Sequence, residues 1–231
     1  MWRQWDLHCH TPSSFDYGNG AATDEQLVEA LVSAGVAAVA VTDHHIIDVA
    51  RIHNMQRIAR DRLIVFPGIE LRTELGGHES VHFVGIFPDD CDIADLWTKI
   101  QGPLDITAGS VQQKGNERVY VSFAQAAKLF HGLGGVVSVH AGRKENSIER
   151  IYNAEEFKQA FKEDLAREHI DILEIGSLKD EPGYRKLVFP HLGFPLPLII
   201  TSDNHNHQSY TRKSICWLKA PRLSTTCAFA A

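Results

Sequence analysis

Short apolar runs alternate with segments of helical period along this chain, and that alternation restricts the fold more than any other feature. VAAVAVT at 36–42 is apolar on both faces, as a strand buried in a parallel sheet is, and LIVFPGIE at 63–70 repeats the pattern. DLHCH at 6–10 reads as the end of a short first strand. Thr23 caps DEQLVEALVSA, whose Leu27, Ala30, Leu31 and Ala34 recur at helical spacing, and Gly35 closes it. Residues 48–61 suit a helix, 80–87 a strand and 93–100 a short helix. Residues 101–121 carry Gly102, Pro103, Gly109 and Gly115 and read as a long loop or lid. Ser122 caps a helix to about Leu133. A strand at 134–140, a helix at 154–167, a strand at 171–176, a short helix at 181–189 and a strand at 197–203 complete the series. Repeated strand–helix units mean a parallel sheet with crossover helices. A length of 231 residues suits one closed α/β barrel. No Gly-x-Gly-x-x-Gly follows the first strand, which argues against a dinucleotide-binding sheet.

The chain holds 13 His against 23 Lys and Arg, an excess of the commonest metal-binding side chain. The histidines and several carboxylates fall at successive strand ends: His8 and His10, Asp43 and His44, Glu70, His82, His140, then Asp203 and His205. In a parallel barrel those ends converge on one face. Taken singly, each has an ordinary reading as a rim hydrogen bonder, a turn cap or an ion-pair member. Taken together, they would be costly to bury unpaired, and metal ions remove that cost. Imidazole mixed with carboxylate, without thiolate, suits Zn, Mn or Fe. The donors outnumber what one ion needs, and one Glu bridging two ions fits a multinuclear centre. His45, His53, His78, His131, His169, His191 and His207 lack such placement, although His45, His78 and His207 lie close enough in sequence to support the cluster.

The motifs DLHCHTPSSFD, VTDHH, PGIE, VHFVG, VSVHAG and TSDNH together resemble the PHP (polymerase and histidinol phosphatase) superfamily over residues 5–218. The resemblance implies a distorted (β/α)7 TIM-like barrel with two to three divalent ions. It assigns His8, His10, Glu70 and Asp203 to the first ion, Glu70, His82 and His140 to the second, and Asp16, His44 and His205 to the third. Asp43 would then support His44. Asp16 stands where some relatives carry His. The opening WRQWDLHCHTPSSFD and the late SICWLKA are similar to the N-terminal PHP domain of TrlF-type AAA-like ATPases, which implies an ATPase domain or partner. On this reading the barrel occupies 1–219, and 220–231 form an irregular tail. No Gly-x-x-x-x-Gly-Lys-Ser/Thr occurs, so ATP hydrolysis is not assigned to this chain.

The expected activity is metal-dependent hydrolysis of a phosphomonoester or phosphodiester. His205 stands among the catalytic residues and Arg143, with Lys144, as a phosphate clamp just beyond His140; Arg72 is a weaker candidate. Two alternatives remain: amidohydrolase-type C–N hydrolysis, and a non-catalytic, metal-stabilised regulatory module of an ATPase system. Nucleic acid, nucleotide and small phosphate esters are all open as substrates. The net charge of −6 disfavours tight sequence-independent binding to duplexes. Cys9, Cys91, Cys216 and Cys227 form no Cys-x-x-Cys pair and read as free thiols of a cytoplasmic protein. The N-terminus has no apolar signal region, and the longest apolar runs are far too short to span a membrane.

Overall fold

The computed structural model describes residues 2–18, 20–74, 80–148, 166–211 and 216–219. Eight strands form one nearly closed barrel: β1 (Trp2–Cys9), β2 (Ala38–Val41), β3 (Ile64–Glu74), β4 (Ser80–Ile86), β5 (Val136–Ala141), β6 (Ile172–Ile175), β7 (Leu198–Ile199) and β8 (Cys216–Lys219). Their order across the sheet is β7-β6-β5-β4-β3-β2-β1-β8. The longer helices among the described residues are α1 (Asp24–Ser33), α2 (Val49–Ala59), α3 (Ile93–Gln101), α4 (Ala108–Lys114) and α5 (Phe123–Gly132). Thr23 and Gln26 close α1 with a reciprocal capping box. Ser122 caps α5, as its sequence requires.

Four features differ from the sequence reading. First, β4 is antiparallel to both β3 and β5, so the sheet is mixed. Only 75–79 separate β3 from β4, and a parallel crossover needs a dozen or more residues. Second, 101–121 is not one loop. It contains α4, capped by Thr107, and a 3₁₀ turn at Asn116–Arg118. Third, SICWLKA carries β8, antiparallel to β1. Fourth, β7 is two residues long. Residues 181–189 are helical, as consecutive short turns running on to Leu192. The helix expected at 154–167 lies outside the described residues up to 165, and Ala166–His169 is helical. The tail at 220–231 also lies outside them.

Barrel closure is local to one end. The segment after β7 pairs with the C-terminal end of β1: Asp203 N–H donates to the His8 carbonyl (2.9 Å) and His10 N–H to the Asn204 carbonyl (3.0 Å). The N-terminal end of β1 pairs instead with β8.

Side chains alternate in and out along each strand, and the inward row sets the site. A packed cluster of Trp5, Leu7, Ala38, Ala40, Phe66, Val84, Ile86 and Ile199 fills the interior. Continuing each row by twos toward one mouth leads to His44, Glu70, His82, His140, Glu174 and Asp203. In β1 the parity changes, because a register shift between Asp6 and Cys9 interrupts the pairing with β2. That irregularity lets His8 and His10 follow Leu7 inward. The larger apolar cluster lies between the sheet and the helices.

Candidate metal centre

Nine side chains singled out from the sequence, and one that was not, meet at this mouth. Strands β1, β2, β3, β5, β6 and β7 contribute from or just beyond their C-terminal ends, β8 contributes nothing among the described residues, and the reversal of β4 lets His82, near its start, reach the same face. Asp203 has φ +48, a left-handed backbone that Asp tolerates.

Glu70 is the hub, 1% exposed. Its Oε2 lies 3.0 Å from His8 Nε2, 3.1 Å from His10 Nε2 and 3.4 Å from His44 Nε2. Its Oε1 lies 2.6 Å from His82 Nδ1 and 3.6 Å from His140 Nε2. Asp203 Oδ1 stands 3.4 Å from His8 Nε2 and 3.3 Å from His10 Nε2. Asp16 Oδ2 stands 3.3 Å from His44 Nε2 and 3.1 Å from His205 Nε2. Donor atoms fall into compact groups: His8, His10, Glu70 and Asp203; His10, Asp16, His44 and His205; His44, Glu70 and His82; and His8, His140 and Glu174. The first two contain the sets assigned to the first and third ions. His82 and His140 both face Glu70 but fall in different groups.

Ring orientation follows a common device. His8, His140 and His205 each place Nδ1 on an outer acceptor, respectively Glu174 (2.9 Å), the Glu145 carbonyl (3.0 Å) and the Asp203 carbonyl (3.1 Å). This turns Nε2 toward the cluster as the nitrogen that would donate to a cation once its proton is displaced, as outer partners do for metal-binding histidines. His82 differs. Its Nε2 accepts from Arg72 Nε (3.2 Å), and its Nδ1 meets Glu70. His10 Nδ1 and His44 Nδ1 are buried without a hydrogen-bond partner among the described residues.

The electrostatics are those of concentrated anions holding protons on nearby rings. Burial opposes charge on His8, but Glu174, Asp203 and Glu70 outweigh it and hold the imidazole well above its ordinary range. His10 is pushed up to about 9 against burial by Asp203 and Glu70. His140 is lowered to about 3, first by burial and then by the Lys144 charge. Burial pushes Glu70 up, yet His44 and His8 hold it well below the usual carboxylate range. Buried imidazoles and carboxylates converging in this way fit divalent cations, which would displace the ring protons and balance the carboxylates.

Two expectations need correction or extension. Asp43 does not support His44. Its carboxylate accepts from Thr11 N–H and Thr11 Oγ1, both at 2.6 Å, and so fixes the turn after His10; burial lifts it to about 6. Glu174, on β6, was missed. A Glu inside the buried run ILEI is itself the signal, because unpaired buried carboxylates are very rare.

Three cations border the cluster differently. Lys144 reaches in, 2.7 Å from Glu174 and 2.8 Å from Asp203. Arg72 is buried, holds His82, pairs with Glu117 (2.7 Å) and lies over Phe15. Arg143 stays outside, 69% exposed, with Nε 3.2 Å from Asp180. A cleft of about 400 Å³ opens beside Asp16, Asp203 and His205, lined also by Gly18, Ser202, Asn204, Asn206, Ser209 and Thr211. Cys9, Cys91 and Cys216 are free thiols. Among the described residues no helix is long and apolar enough to cross a membrane.

No protein-family model matches the chain, and no curated protein matches it significantly. Solved structures do. One is a protein from Bifidobacterium adolescentis assigned as a metal-dependent phosphoesterase, with TM-score 0.54, 16% identity and 88% of each chain covered. Another is an amidohydrolase from Chromobacterium violaceum, solved with sulfate and no metal, with TM-score 0.54, 19% identity and 88% of each chain covered. A third is a lesion-specific endonuclease from Pyrococcus furiosus, with TM-score 0.60 and 16% identity over 90% of this chain and 49% of that one. This chain thus spans about half the length of the endonuclease. What it shares with all three is the fold, a distorted α/β barrel.

Proposed function

We propose that this chain is a PHP-type, metal-dependent phosphoesterase. The observation that carries the reading is the division of Glu70: one oxygen faces His8, His10 and His44, the other His82 and His140. A carboxylate so shared is built to lie between two cations. His8, His10, Glu70 and Asp203 would hold the first ion, Glu70, His82 and His140 the second, and Asp16, His44 and His205, with His10 beside them, the third. Bound divalent ions supply a low-pKa water nucleophile and charge stabilisation for phosphoryl oxygens. The chain's own residues do the rest. Outer acceptors orient the rings of His8, His140 and His205. At the second position His82 would bind through Nδ1, the nitrogen facing Glu70, with Nε2 held by Arg72. Asn204, Asn206, Ser209 and Thr211 offer neutral hydrogen bonds to a substrate in the cleft. With the third position unfilled, His205, which borders both the cleft and Asp16, is the proposed proton carrier to the leaving oxygen through Nε2. Arg143 can serve as a phosphate clamp from the rim only by exchanging Asp180 for substrate.

The likeness to an endonuclease and to a phosphoesterase supports phosphoester substrates, with nucleic acid among them. An ATPase partner and a cytoplasmic setting belong to the same proposal through the TrlF-type resemblance. The test is elemental analysis of purified protein, then assay of phosphomonoesters, phosphodiesters, a dinucleotide and a cyclic imide with Zn, Mn or Fe restored. Two to three equivalents and phosphoester turnover are expected. Turnover of the imide alone would make it a C–N hydrolase. Full metal loading without turnover of any substrate would make it a metal-stabilised module.

A further inference from the structure

We infer that Glu174 and Lys144 are positioning residues for the first ion, acting through His8 and Asp203 rather than as ligand and phosphate clamp. This rests on the reading that His8, His10, Glu70 and Asp203 hold an ion. Glu174 is 1% exposed, yet both of its oxygens are already engaged. Its Oε2 takes the His8 Nδ1 proton at 2.9 Å, and its Oε1 takes Lys144 Nζ at 2.7 Å and the Thr201 hydroxyl. His140 Nε2 stands farther away, at 3.9 Å from Oε2. A carboxylate with three donors on two oxygens is a holder of groups, not a free metal donor. What it holds is the tautomer of His8. With one proton fixed on Nδ1, Nε2 is the nitrogen left facing Glu70, Asp203 and His10, and the one that would donate to an ion.

Lys144 does the matching task for Asp203. Its Nζ takes Oδ2 at 2.8 Å, which leaves Oδ1 facing His8 and His10. One ammonium thus ties down the outer oxygens of two carboxylates and turns the inner atoms of two ligands toward one point. The backbone is shaped to deliver it. A Cβ on Gly176, at the end of β6, would lie 2.8 Å from Lys144 N and 3.1 Å from the Arg143 carbonyl carbon. Only glycine lets the β6 end and the 143–144 turn come this close. Lys144 is 11% exposed at its side chain, and its donors already have two partners, so it is poorly placed to capture a phosphate.

The experiment compares wild type, Glu174→Gln, Lys144→Gln and Lys144→Arg by titrating Zn²⁺ into metal-free protein against a competing chelator dye, with melting of the metal-free proteins alongside. The expected result is that one equivalent weakens by about 10- to 100-fold in both Gln variants, the range for outer partners of metal ligands. The other equivalents stay within a few-fold, and Lys144→Arg recovers most of the loss. Unchanged Zn²⁺ affinity in both Gln variants would overturn the inference. So would uniform weakening of every equivalent with a lower melting temperature, which is mere structural support. A raised KM in Lys144→Gln with intact Zn²⁺ binding would make the lysine a clamp and equally overturn it. If wild type binds no Zn²⁺, Mn²⁺ or Fe²⁺, the metal reading itself falls, which is a different failure from normal binding that ignores these substitutions.

Discussion

Glu70 shows how much one residue can be asked to do. It sits on the inward row of β3, fully buried, with a histidine on every side. Replacing it by Gln keeps shape but removes the charge that would bind two ions. Glu70→Gln is expected to lose at least one metal equivalent and to lower phosphoester turnover by about 10²-fold or more. The far-UV spectrum should be unchanged, because the fold's apolar rows do not involve this side chain. Elemental analysis and steady-state kinetics check it; a variant that keeps both metal and rate removes Glu70 as a bridge. At this scale the sequence was informative wherever a His or carboxylate ended an apolar run, as at Glu70, His140 and Asp203. It misled at Asp43, because in the extended segment after β2 its side chain turns to Thr11 while that of His44 faces Glu70. It placed His82 among the donors but was silent on its partner Arg72, which lies across the hairpin.

At the scale of elements, the antiparallel β4 is what completes the ring of donors. It is held from behind by α5. A Cβ on Gly85 would lie 2.5 Å from two ring carbons of Phe130, which is buried among Phe83 and Phe87. Gly85→Ala is therefore expected to cost about 1–3 kcal/mol by overpacking, read as a lower urea midpoint with an unchanged slope. Metal stoichiometry should persist, since His82 lies at the other end of β4. An unaltered midpoint would mean that α5 does not constrain the strand. The reversal of β4 was legible in principle: the short gap after β3 cannot hold a crossover helix. The sequence of α4 was not legible in the same way. Ala108–Lys114 buries no side chain, so it has no apolar stripe to reveal it, and its Thr107 cap is its main local signal. β7 was overread because 197–203 is apolar enough for a long strand, whereas the chain leaves the ladder after Ile199 to reach β1.

For the whole molecule, the proposed centre would stabilise the fold when loaded as well as serve as a site. Strands from both halves of the chain send charged groups to one mouth, and closure between β1 and the segment after β7 occurs there. Ions that bind only the folded chain stabilise it by mass action, about 2.7 kcal/mol per site at a hundredfold excess over Kd. Removing them leaves buried carboxylates balanced only by protonated rings and Lys144. Chelation is expected to lower the melting temperature, and restoring metal to return it. Identical melting with and without chelator would show that no ion is bound in the purified protein.

Period along the chain was enough to specify most of the buried strands, the helices α1, α2, α3 and α5, and the strand ends at which histidines and carboxylates gather. Those are local properties, set by alternation of side chains and by caps within four residues. The same parity would have found Glu174, two residues beyond Ile172. Tertiary structure alone decided which donors share an oxygen, that β8 covers the N-terminal half of β1 while Asp203 and Asn204 close its other half, and that Lys144 enters the cluster while Arg143 turns to Asp180. These choices depend on strand register and barrel closure, which join residues as far apart as His8 and Asp203, and no local pattern carries such distances.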